Sequence, residues 1–87
     1  MTYNMNREQI RKALVSKGVT VVGTTEEFDG GVGGLWISAE MLDDFFNYHS
    51  EELYETFGVD PELSEFVEEN GWYFEWYDPG TIMLWPS

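Results

Sequence analysis

The sequence predicts a single α+β domain in which amphipathic acidic helices pack on a small antiparallel sheet. Three observations lead there. Apolar residues recur at helical spacing behind the capping residues Asn6, Ser38, Ser50 and Asp60. The C-terminal stretch alternates aromatic and polar residues on both sides of Asp78-Pro79-Gly80, the pattern of a hairpin. The 87 residues also hold four Trp, five Tyr and six Phe, with no linker or internal repeat to divide them. A chain of this length folds as one domain, burying about 60% of its unfolded surface. The expected order is α-β-β-α-α-α-β-β.

The first helix follows Asn6, with Gln9 at the third helical position completing a capping box. Ile10, Ala13 and Leu14 share its inner face, and Gly18 ends it. Residues 19–24 are rich in β-branched side chains and predict a first strand. The segment TEEFDGGVGG at 25–34 predicts a loop, either mobile or crossing another backbone closely, and 35–37 predict a second strand.

Ser38 caps a predicted helix with Met41, Leu42, Phe45 and Phe46 on one stripe and Glu40, Asp43, Asp44 and Asn47 on the other. Ser50 caps a short helix to Phe57, with Leu53, Tyr54 and Phe57 inward and Glu51, Glu52 and Glu55 outward; the two segments read equally as one bent helix. Asp60 followed by Pro61 starts a helix that buries Leu63, Phe66 and Val67 and turns Glu62, Glu65, Glu68 and Glu69 outward. In the hairpin, proline then glycine suit the two central positions of a type II turn. Trp72, Phe74 and Trp76 take one face of its first strand, and Tyr73, Glu75 and Tyr77 the other.

The charge is unevenly placed. Arg7, Arg11, Lys12 and Lys17 are all the lysines and arginines of the chain, so residues 1–17 carry +3 and residues 18–87 carry −16 of the net −13. Self-repulsion of this size opposes compaction and exceeds the magnitude of ~2–8 that solubility needs. Direct binding to nucleic acid or an anionic membrane is excluded, because both require a basic footprint. The absence of cysteine fits a reducing compartment, and no apolar run approaches the ~18 residues of a membrane span. A cytoplasmic location is expected.

Catalytic and metal-binding patterns are missing. His49 is the only histidine and has no metal-motif context, and Asp29 begins no calcium loop. The glycines at 30, 31, 33 and 34 lack the spacing, the lysine and the following helix of a phosphate-binding loop. No enzyme activity, cofactor or metal is expected.

What remains are the carboxylate rows. Side chains three or four positions apart on a helix stand ~5–6 Å apart. That is comparable with the spacing of successive phosphates along one strand of a duplex that carries a charge every ~1.7 Å of axis. The candidate partner-binding residues are therefore Asp43, Asp44, Glu51, Glu52, Glu55, Glu62, Glu65, Glu68 and Glu69. Tyr73 and Tyr77 join them as interface aromatics, because a half-buried hairpin cannot bury them together with Met83 and Trp85. The competing expectation is that the glycine-rich loop or the first helix covers that face.

In composition over 18–87 the chain resembles the small acidic proteins that phages and mobile elements use as DNA mimics against restriction enzymes, CRISPR effectors or repair proteins. The stretch FDGGVGGLW at 28–36 is similar to the opening strand and turn of plasmid and transposon antirestriction modules. The resemblance implies an inhibitor of a basic nucleic-acid-binding protein of the host cell and transfers no functional residue. The alternative expectation is a non-enzymatic phage adaptor that binds through the aromatic hairpin and the glycine-rich loop.

Overall fold

The computed structural model describes residues 4–40, 45–47 and 58–87. Helix α1 spans Arg7–Ser16. Its capping box forms as expected, with the Gln9 N–H donating to Asn6 Oδ1 at 2.8 Å and the Asn6 N–H donating to Gln9 Oε1 at 2.9 Å. At the other end Gly18, at φ 99°, donates to the Val15 carbonyl while the Val19 N–H donates to that of Leu14. This glycine-terminated cap consumes the Val19 N–H, so strand β1 begins at Val21 and not at 19.

β1 (Val21–Thr24) is followed at once by a helical turn, α2 (Thr25–Phe28), where the sequence predicted only loop. A second capping box explains it: the Glu27 N–H donates to Thr24 Oγ1 and the Thr24 N–H to Glu27 Oε1. After the glycines come β2 (Leu35–Ser38), then α3 (Pro61–Glu69), β3 (Trp72–Asp78) and β4 (Thr81–Pro86). The Asp60 carboxylate accepts from the Leu63 N–H, and Pro61 takes the first turn, as the sequence led one to expect.

The fold is α+β, with a four-stranded antiparallel sheet in the order β1-β2-β4-β3. One correction concerns the helix predicted after Ser38. Phe46 forms an isolated antiparallel bridge with Val59, with the Asn47 N–H donating to the Gly58 carbonyl and the Asp60 N–H to that of Phe45. Phe46 is thus a pairing partner of Val59 and not a helical residue, because burying it against the sheet outweighs the local helical pattern. The rest of that helix and the predicted helix at 50–57 lie outside the described residues.

A second correction concerns the hairpin. Gly80 is not among the residues with positive φ, which a type II turn requires at that position. The register slips between Trp76 and Asp78, so Tyr77 is an extra residue, and Asp78 Oδ1 accepts from the Gly80 N–H at 2.9 Å. The bulge and this side-chain bond close the turn instead.

Cross-strand pairing separates the two faces of the sheet. Val21 lies opposite Ile37, Leu35 and Phe74 flank Leu84, and Ile37 and Trp76 flank Ile82. On this face Ile10 and Leu14 of α1, Leu63 and Val67 of α3, and Phe46 and Val59 complete the core. Phe46 meets the rings of Phe74 and Trp76 at 5.4 and 6.3 Å between centroids. Each such side chain contributes roughly 1.5–3 kcal/mol by burial.

Trp36, Met83, Glu75, Trp85 and Tyr73 point to the other face. There α2 and the glycine-rich segment form a partial cover, with Phe28 edge-on to Trp36 at 4.8 Å. Gly34 shows why the cover is glycine-rich: a Cβ there would stand 2.7 Å from Trp85 Cε3 and 2.8 Å from the Leu84 carbonyl oxygen. The backbone lies flat against the indole, and no side chain fits between them. Thr25, fully buried, anchors the segment reciprocally: its N–H donates to the Gly34 carbonyl, and its Oγ1 accepts from the Gly34 N–H at 3.0 Å.

Candidate interaction surfaces

The α3 carboxylates stand as the sequence predicts. Leu63 and Val67 face the core and Glu62, Glu65, Glu68 and Glu69 are exposed along the opposite side. The last turn of the helix carries no basic residue, so Glu68 and Glu69 sit at its negative dipole end uncompensated. Among the described residues none of the four is in an ion pair.

Two of the cations are engaged away from α3, and a third reaches it through an aromatic ring. Arg7 Nη1 donates to Glu26 Oε1 at 2.7 Å and to the Gly34 carbonyl at 3.3 Å, tying α1 to the glycine-rich cover. Glu26 Oε2 accepts from the Gly33 N–H at 3.1 Å. Its own backbone N–H, the Gly33 N–H and then the Arg7 guanidinium hold the Glu26 carboxyl down to about 2 from 4.5, against desolvation. Arg11 pairs with Glu8 one turn earlier on the same helix and lowers its pKa through that hydrogen bond. Lys17 places its Nζ 4.5 Å from the centre of the Phe66 ring on α3, a cation–π contact.

Tyr73 and Tyr77 are 40% and 58% exposed. The expectation for their face holds in part. The glycine-rich segment and α2 cover Met83, which is buried, and half-cover Trp85, but leave the two tyrosines at the surface. The Tyr77 ring is edge-on to Phe28 at 4.8 Å.

The predicted partner-binding residues therefore do not form one patch. α3 packs on the core face of the sheet, whereas Tyr73 and Tyr77 project from the other. Asp43, Asp44, Glu51, Glu52 and Glu55 lie outside the described residues. Glu75, exposed between the two tyrosines, was absent from the predicted set, although the alternation of β3 placed it on their face.

Among the described residues no group of three or more acidic, histidine or cysteine side chains is arranged to hold a metal, and no helix is long and apolar enough to cross a membrane. A depression of about 250 Å³ lined by Lys17, Phe45, Asp60, Glu62 and Leu63 lies where α1 ends and α3 begins. It is smaller than the ~300–1,000 Å³ of ordinary ligand sites and brings one cation against two carboxylates. Comparison with protein-family models, curated proteins and solved structures returned no match for the chain.

Proposed function

We propose that this chain is a non-enzymatic acidic inhibitor that enters the basic nucleic-acid cleft of a host protein, such as a defence nuclease or repair enzyme, and acts by occupying it. The observation that carries the reading is the row Glu62, Glu65, Glu68 and Glu69, exposed and without ion pairs among the described residues, while three of the four cations are held by Glu26, Glu8 and Phe66. Folding repeats like charge along one helix and sets Lys17 beside it on Phe66, while Arg7 and Arg11 are paired with Glu26 and Glu8, away from the row. A basic cleft supplies the neutralising cations, with long-range attraction and release of counterions. Asp43, Asp44, Glu51, Glu52 and Glu55 enter the proposal from the sequence pattern alone, as further carboxylates outside the described residues. The intracellular setting and the phage-type origin belong to the same proposal.

The experiment is capture from host lysate at low salt and elution by salt, followed by competition of the captured protein against labelled nucleic acid. Mutual exclusion supports the reading, and a ternary complex refutes it. A second reading, an adaptor that docks through the hairpin, is favoured by the exposure of Tyr73 and Tyr77. Under it, replacing those two residues abolishes binding, and neutralising the α3 row does not.

A further inference from the structure

Tyr73, Glu75 and Tyr77 project from the outer face of β3, the face opposite α1 and α3 that α2 covers in part. Tyr73 and Glu75 are successive residues on one face, about 6–7 Å apart, and Tyr77 follows at the bulge with its ring against Phe28, so Glu75 lies between the two tyrosines along the strand. Its floor is apolar: Glu75 pairs across the ladder with Met83, which in turn pairs with Trp36, and Phe28 packs edge-on against both Trp36 and Tyr77. One wall of the site is thus braced from behind. No salt bridge reaches Glu75 among the described residues, and Arg7, the cation at the rim of the cover, is already held by Glu26 and the Gly34 carbonyl.

This geometry discriminates between cations. A guanidinium is planar, weakly hydrated and forked, so it stacks on aromatic faces while binding a carboxylate through two parallel N–H bonds. A lysine ammonium is a compact, strongly hydrated point charge and gains less from flanking rings. We infer that Tyr73, Glu75 and Tyr77 form a receptor for an arginine side chain of the basic protein partner. The inference rests on the preceding reading of that partner as a basic protein, and the net charge of −13 supplies the complementarity. A cleft has two walls. The α3 row meets one and attracts without regard to which cation it finds, while the outer sheet face meets the other and selects arginine.

The test is titration with nona-arginine and nona-lysine peptides of equal charge at about 0.15 M salt, where surface charge alone is well screened. The wild-type protein is expected to bind the arginine peptide about tenfold more tightly than the lysine peptide, through its two ring contacts. The double variant Tyr73→Leu with Glu75→Gln changes only exposed side chains and leaves Tyr77 on Phe28; it should lose this preference while retaining its affinity for the lysine peptide. Equal binding of the two peptides by the wild type, or a preference that survives in the double variant, overturns the inference. Neutralising Glu65, Glu68 and Glu69 should weaken both peptides alike. If it weakens neither, the helix-row reading fails, and the arginine preference is still decided by the β3 variant.

Discussion

If the α3 carboxylates are held in excess for a partner, removing them should make the free protein more stable. The triple variant Glu65→Gln, Glu68→Gln and Glu69→Gln keeps side-chain size and leaves Glu62, which favours the positive end of the helix dipole. Three like-charge pairs at i,i+3 or i,i+4 disappear, Glu62 with Glu65 and Glu65 with Glu68 and Glu69, each destabilising by about 0.2–0.5 kcal/mol. Two carboxylates also leave the uncompensated C-terminal turn, where each costs about 0.3–1 kcal/mol at low ionic strength. The sum is a gain of about 1–3 kcal/mol, or on the order of 5–20 °C in Tm for a domain of this size. Urea melts at low and at high salt measure it. The gain should shrink at high salt, because exposed charges are screened beyond the Debye length. A variant no more stable than the wild type at low salt would show that the row is neutralised within the fold, and the case for surplus charge would fail.

Other expectations concern the parts that hold the surfaces in place. Thr25→Val leaves the Gly34 N–H buried without its acceptor and should cost about 1–3 kcal/mol by chemical denaturation. Phe46→Ala removes a fully buried ring from the sheet and should cost about 3–5 kcal/mol in the same assay; a loss under 1 kcal/mol would mean that the bridge to Val59 is not part of the core. Because Glu26 is depressed from 4.5 to about 2, its contribution is fully present above pH 4.5 and is lost as the pH falls towards 2. Arg7→Met should flatten that part of the stability–pH curve only in part, because the Glu26 and Gly33 N–H donors remain, and an unchanged curve would show that Arg7 does not stabilise the Glu26 carboxylate.

Local signals in the sequence carried much of the fold. Asn6 with Gln9, Asp60 with Pro61, and the alternation along β3 each depend on neighbours within four residues, and each appears in the structure where it was expected. The α2 turn had a signal of the same kind, Thr24 with Glu27, but four glycines just beyond it made the whole stretch resemble loop. What could not be read is long-range. The helical spacing of Met41, Leu42, Phe45 and Phe46 says nothing of Val59, yet pairing with Val59 decides the conformation at Phe46. The strand order and the reach of Arg7 to Glu26 are likewise set by packing between distant segments. For the candidate surfaces, the exposure of the α3 row followed from helical periodicity. Its separation from Tyr73 and Tyr77 required knowing which face of the sheet the helices cover.

On the proposed function, the carboxylate surplus takes the place of nucleic acid on a basic protein. The most direct test is the displacement of labelled nucleic acid from the salt-eluted partner, followed as salt is raised. Complete displacement is expected, with an affinity that falls steadily with the logarithm of salt concentration and a shallower slope for the triple α3 variant. Simultaneous binding of nucleic acid and this protein, or an affinity indifferent to salt, would contradict it.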